Sequence, residues 1–365
     1  MPFSRAIRYG RHWLSGAGDV TRSDQVLSAS GAVFDAFVFR PSNAGDRPLP
    51  GWVLLHGITR PGRLHPSLMR FSQSLAASGA IVVVPEVSEW VGLELAPHRT
   101  AAATRAGLEF LEADPQAVGR SGLAGFSFGA PQAIRQALDP ELHHRLGSVT
   151  AFGGYSDLER TLRFLMTGLH EWDGRTERLR PDPYGRWIVA ANYLTGVPGY
   201  ESAIPVAEAL RSLAAEAGDL QVESWDPSMD PIKKGLRADL DGNDRELFDY
   251  FAPDAGDDPP MADERSERWV VDLAAAGRER DPGLELPDGQ LKTPVPIHVV
   301  HGAADSLIPS SEGRRLGERL RQTEGSLTIT RLFSHSSEDG TPHLLSGVRE
   351  NLRFFNLLNR ILQSV

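Results

Sequence analysis

The sequence contains no cysteine. That one absence excludes disulfides, thiolate nucleophiles, iron–sulfur clusters and cysteine-based zinc sites. It fits a reducing compartment, and a cytoplasmic location is the expectation. Long hydrophobic runs are also missing, and no apolar stretch approaches the roughly 20 residues that a membrane span needs. The first 14 residues, Met1 to Leu14, have no uninterrupted apolar core, so no signal peptide is expected. Phe3, Ile7 and Leu14 can line one face of a helix there, with Arg5, Arg8 and Arg11 elsewhere; the expected role is a short strap on the body rather than a membrane-surface helix. Positive charge is in deficit, with 38 Lys and Arg against 48 Asp and Glu and a net charge of −10. Phosphate binding needs a basic face, so no nucleic-acid partner is expected. There is no H-E-x-x-H run, and His143-His144 reads as a solvated helix end rather than a metal pair. No internal repeat is visible.

What the chain does contain is an alternation of buried strands and amphipathic helices. Residues 25–40 alternate apolar and polar positions and read as two antiparallel strands around Ser30-Gly31. After a proline-bounded loop, Trp52–Leu55 is a continuous apolar strand ending at His56-Gly57, and a helix follows near Pro66–Ser78. Ala80–Pro85 is the next buried strand, residues 99–113 the next helix, and Gly147–Gly153 a further strand. Continuous apolar strands between helices imply a parallel sheet covered on both faces. The alternation then lapses. Residues 158–169, 184–194, 203–217 and 266–276 have helical spacing, with Pro/Asp/Gly-rich connections between and around them, notably Ala252–Pro260. Sheet pattern returns at 295–301, with a helix at 310–322, a strand at 326–333 and a closing helix at 342–363. The helical stretch 155–291 is therefore expected to be an insertion between two neighbouring strands of one sheet. Within it, Trp187, Tyr193, Trp269 and the Leu158–Leu169 stripe read as its own core.

One serine stands where this architecture places a nucleophile. Gly125-Phe126-Ser127-Phe128-Gly129 fits G-x-S-x-G, with the apolar Leu123-Ala124 before it and the helical pattern Ala130–Leu138 after it. Strand, tight glycine turn and helix lift the hydroxyl out at the end of a sheet. Serine is a poor nucleophile at neutral pH and needs a base and a group that orients the base. Asp305 stands just past the strand that ends at His301-Gly302 and is the expected orienting acid. Two histidines compete for the base. His335 falls in the loop after the last strand and is preferred; His343 stands at a helix start, behind Thr341 and Pro342. The oxyanion requires two backbone N–H donors. Phe128, after the nucleophile, and Ile58, in the loop after the Trp52–Leu55 strand, are the expected pair. His56 reads as a brace of that loop rather than a base.

In the order His56-Gly57 loop, Gly125–Gly129 elbow, Gly302–Asp305 turn and His335, the chain resembles the α/β-hydrolases, over about 1–154 and 292–365. The 178 residues separating Ser127 from Asp305 make it most similar to capped esterase and lipase-like members. The absence of a His-Gly-Gly-Gly run sets it apart from the hormone-sensitive-lipase branch, and the serine sets it apart from dehalogenases and dienelactone hydrolases. The resemblance implies a mostly parallel central sheet flanked by helices, with a mainly helical cap, residues 155–291, inserted between the sixth and seventh strands. It also admits Asp157 as an alternative acid. The implied activity is a serine hydrolase that cleaves a small-molecule carboxylic ester through an acyl-enzyme, with no metal and no organic cofactor. A peptidase or amidase with the same triad, and a catalytically silent binding protein on this fold, are the alternatives. The acyl chain, the alcohol and the oligomeric state are not readable from the sequence.

Overall fold

The structure is a computed structural model in which residues 3–331 and 348–365 are described. Its centre is an eight-stranded sheet built from β1 (Val20–Ala29), β2 (Ala32–Pro41), β3 (Leu49–Leu55), β4 (Ile81–Pro85), β5 (Ala117–Phe126), β6 (Leu146–Phe152), β9 (Ile297–Gly302) and β10 (Gly325–Thr330). The spatial order is β1-β2-β4-β3-β5-β6-β9-β10. β1 and β2 form an antiparallel hairpin, β2 also runs antiparallel to β4, and every later pairing is parallel. The hairpin turns at Ser30 and Gly31, both at positive φ (52° and 77°), the geometry that matches the twist of two paired strands.

The strands are apolar at consecutive positions because both faces are covered. Ala36, Val38, Val53, Leu55, Val83, Leu123, Val149 and Val299 face one apolar cluster. Their neighbours Phe37, Phe39, Trp52, Leu54, Val82, Ala124, Phe152 and Val300 face another. The second layer is made by α1 (Ser4–Ser15), α2 (Pro66–Ala77) and α13 (Val348–Gln363). Ala6 and Tyr9 of α1 are buried there, and Arg8 donates to the Ser78 carbonyl at 2.6 Å, so α1 is the strap that the sequence predicts. On the first face lie α4 (Thr100–Ala113), α5 (Gly129–Leu138) and α12 (Ser310–Arg319); the single turn α3 (Ser88–Val91) follows β4.

Between β6 and β9, which pair directly in parallel, the chain leaves the sheet. It forms α6 (Leu158–Thr167), the hairpin β7 (Leu169–Trp172) and β8 (Arg175–Arg178), α7 (Tyr184–Tyr193), α8 (Ile204–Leu220), α9 (Asp230–Ala238), α10 (Gly242–Phe251) and α11 (Glu264–Arg280). This insertion between the sixth and seventh strands of the sheet is mainly helical, as expected. Trp187, Tyr193, Phe248, Phe251 and Trp269 are buried within it, in the same cluster as the α4 and α5 face of the sheet. The hairpin and helices α9 and α10 were not anticipated. β7 and β8 are four residues each, with Leu169 and Trp172 the only apolar residues between them, so only the turn Asp173-Gly174, at φ 53° and 70°, announces them. Among the described residues no helix is long and apolar enough to cross a membrane.

Candidate active site

Ser127 lies between the end of β5 and the start of α5 with φ at +53°, a left-handed conformation that costs an ordinary L-residue about 1–2 kcal/mol. Two hydrogen bonds hold it: its N–H donates to the Phe152 carbonyl of β6 at 2.8 Å, and its carbonyl accepts from the Ala130 N–H at 2.9 Å. The flanking glycines are there for space. A Cβ on Gly125 would stand 2.0 Å from the Gly129 carbonyl oxygen, and one on Gly129 would stand 2.7 Å from that of His56. Strand, helix and the β3 loop thus approach one another at backbone distance. No larger residue fits either place.

The loop after β3 comes to the serine from the other side. A Cβ on Gly57 would meet Ser127 Cβ at 3.1 Å and Oγ at 3.7 Å, so this loop lies directly against the nucleophile. His56 fixes its course. Its Nε2 accepts from the Val87 N–H at 3.0 Å, which leaves the proton on Nδ1, where it is donated to the Gly57 carbonyl at 2.7 Å. Burial holds this imidazole neutral and pushes its pKa down to about 4. Both ring nitrogens are thus spent on backbone, which makes His56 the expected brace. Trp90 packs edge-on against both His56 and Phe128, at centroid distances of 5.3 and 5.2 Å, and so ties the two loops together.

Among the described residues, the backbone N–H groups of Ile58 and Phe128 have no acceptor. Ile58 is instead held by its carbonyl, which accepts from the Tyr184 hydroxyl at 3.1 Å. Tyr184, the first residue of α7, comes from the insertion. Sequence reasoning missed this contact, because a tyrosine opening a helix carries no signal of what lies 126 residues away.

Asp305 reaches the same edge of the sheet. Phe126, Phe152 and Val300 are in register across β5, β6 and β9, so the residues that follow each strand leave the sheet side by side. Asp305 is fully buried, its Oδ1 accepts from the Leu307 and Ile308 N–H groups at 3.0 and 2.9 Å, and its Oδ2 lies 3.6 Å from His301 Nε2. The two backbone donors hold the carboxylate at a defined angle. The insertion touches this loop too: the Asp182 N–H donates to the Ser306 carbonyl at 2.7 Å. His335 and His343 both lie outside the described residues. Asp157 is engaged elsewhere, capping α6 by accepting from the Arg160 N–H at 2.8 Å. His143 lies against the Ala137 carbonyl, its Nε2 3.1 Å from that oxygen, at the end of a short turn.

No protein-family model matches this sequence, and no curated protein is similar to it. Among solved structures, the chain is similar to acylaminoacyl peptidase of Pyrococcus horikoshii at 13% identity and a TM-score of 0.47, over 94% of this chain and 41% of that one. It thus spans about two-fifths of the peptidase's length. Brefeldin A esterase, described as a bacterial homologue of human hormone-sensitive lipase, matches at 16% identity and a TM-score of 0.48, over 100% of this chain and 87% of that one. A Pyrococcus furiosus esterase matches at 13% identity and a TM-score of 0.48, over 95% and 91% of the two chains.

Proposed function

We propose that this chain, an α/β-hydrolase by fold, is a serine hydrolase that cleaves carboxylic esters through an acyl-enzyme. The observation that carries the reading is local: a serine held at φ +53° with two backbone N–H groups, of Ile58 and Phe128, that have no acceptor among the described residues, in the two loops that meet there. In this reading His335 takes the Ser127 proton, and Asp305 holds the imidazole in the productive tautomer and stabilises its cation. The alkoxide attacks the ester carbonyl. The Ile58 and Phe128 N–H groups receive the negative charge that develops on the carbonyl oxygen. His335 then protonates the departing alcohol, and water repeats the sequence to release the acid. Residues 1–154 and 292–365 form the catalytic body, and 155–291 form a cap that selects the substrate.

The test is hydrolysis of p-nitrophenyl butyrate and laurate, with a fluorophosphonate probe on the same samples. Wild type is expected to turn over at least one ester and to be labelled at Ser127. Ser127→Ala and His335→Ala are each expected to lower kcat by about 10³-fold or more, with KM little changed. An active His335→Ala enzyme transfers the base role to His343. Turnover confined to peptide or amide substrates moves the reaction to the amidase alternative. A protein that neither turns over any of these nor takes up the probe is the silent scaffold.

A further inference from the structure

α7 carries a buried guanidinium that no hydrogen bond among the described residues engages. Arg186 is 1% exposed, and its Nε, Nη1 and Nη2 all lack a hydrogen-bond partner among the described residues. Removing a guanidinium from water costs several kcal/mol unless its donors are used, and buried arginines ordinarily spend them on carbonyls or carboxylates. Burial pulls the Arg186 pKa down to about 10, which still leaves it fully charged at neutral pH. Packing does not explain it. The Trp225 ring lies 5.7 Å from its Cζ, near the outer limit of a cation–π contact, and a ring face uses none of the planar N–H fork.

The surroundings add positive charge. Arg180 stacks on the same indole at 3.7 Å, and Lys233 Nζ lies 6.0 Å from it. Arg180 gives its hydrogen bonds to the Ala255 and Asp257 carbonyls, which carry no charge. Lys233 bonds to Asp230 at 3.1 Å and to the Pro253 carbonyl at 2.8 Å. Tyr250 and Asp182, whose carboxylate accepts from the Tyr184 N–H, act on Arg186 electrostatically without hydrogen-bonding to it.

The place of this unspent fork matters. Arg186 is on the first turn of α7. Two residues before it, Tyr184 bonds the Ile58 carbonyl; one residue before it, Gly185 lies against Leu307, two residues past Asp305. The same turn thus touches both loops that frame Ser127. We propose that Arg186 is the recognition group for a carboxylate carried by the substrate, so that the preferred esters are half-esters or hydroxy-acid esters with one free acid group. This rests on the serine-hydrolase reading above. A planar guanidinium takes a carboxylate through two parallel hydrogen bonds, which is the use its three unpartnered nitrogens are free to make.

The experiment compares ethyl butyrate with the monoethyl esters of succinate, glutarate and adipate, and with 3-butanoyloxypropanoate, which carries its carboxylate on the alcohol side. Wild type is expected to favour at least one carboxylate-bearing ester by about 10- to 100-fold in kcat/KM, the worth of a charge-assisted pair. In Arg186→Met that preference collapses, mainly through KM, and Arg186→Lys restores part of it. Equal or better use of ethyl butyrate by wild type overturns the proposal, and so does an Arg186→Met enzyme whose preference ratio is intact. Calorimetric titration of wild type and Arg186→Met with glutarate separates this proposal from the reaction itself. Glutarate bound by wild type and not by Arg186→Met supports the site even where no ester is cleaved, and no binding to wild type overturns it.

Discussion

Ser127 keeps a left-handed backbone in a turn that Gly125 and Gly129, two residues away on either side, close tightly because neither has a side chain to obstruct it. The reach of Gly57 is the more instructive case, since it separates folding from chemistry. Alanine there brings a methyl to 3.1 Å from Ser127 Cβ, a contact the loop relieves by yielding a few tenths of an ångström. Gly57→Ala is therefore expected to fold, with a melting temperature within a few degrees of wild type. The neighbouring Ile58 N–H moves with the loop, and ester turnover falls by about 10²-fold, the usual cost of a displaced oxyanion donor. Gly125→Ala meets backbone at 2.0 Å instead and is expected to lose more than about 4 kcal/mol, read as insoluble or unfolded protein. A Gly57→Ala enzyme with full activity removes this loop from the oxyanion hole. At this scale the sequence was highly readable: small residues around one serine, a histidine beside a glycine, and an aspartate after a buried strand each have few reasons to occur. The choice between His335 and His343 was not, because imidazole reach depends on how a loop folds back, which neither periodicity nor capping encodes.

The elements differ in legibility for a physical reason. Strands β3, β4, β6 and β9 and the second half of β5 are buried on both faces, so their sequences are predominantly apolar runs that admit one reading. Helices α9 and α10 have exposed faces, begin in Pro/Asp/Gly-rich sequence and gain their order from packing against α8, so local pattern hides them. How the insertion is joined to the sheet was likewise hidden, and Glu312 is its clearest joint. This carboxylate of α12 is 2% exposed, accepts from the Ser156 and Asp157 N–H groups at 2.9 and 3.0 Å, and takes Arg160 Nε at 2.9 Å. Glu312→Ala leaves two backbone donors and a guanidinium without their acceptor, a loss of about 3–5 kcal/mol. A urea midpoint within experimental error of wild type counts against that joint. Tyr184→Phe removes the hydroxyl that holds the Ile58 carbonyl and is expected to lower kcat about 3- to 10-fold while costing only about 1 kcal/mol of stability. A Tyr184→Phe enzyme with unchanged kcat leaves Tyr184 as a packing residue only.

At the scale of the whole molecule, buried imidazoles set the response to acid. Burial pushes the pKa of His56 and of His298 down to about 4, with Arg360 adding to the effect at His298, and it also lowers His12 and His170. In the unfolded chain these groups titrate near 6.5. Between the two values the unfolded state binds protons that the folded state refuses. The stabilisation is therefore complete above pH 6.5, is lost as pH falls towards 4, and changes little below that. For His56 and for His298 it amounts to about 3 kcal/mol each. Glu312 and Asp244 oppose this, since burial raises their pKa values and favours the folded state at lower pH, but they are two groups against four. Carboxylates whose pKa is depressed, such as Asp114 beside Arg40, act only below their unfolded value of 3.8 and lie outside the window. The urea midpoint is accordingly expected to fall markedly between pH 7 and pH 4.5. His298, distant from the serine loops and lying 2.9 Å from Ser326 Oγ through Nδ1, is the ring to remove, because glutamine retains a polar partner there without the titration. His298→Gln is expected to show a shallower loss over the same interval. Identical slopes in the two proteins assign the acid sensitivity to other groups, and a flat wild-type profile shows that these rings accept protons while still folded.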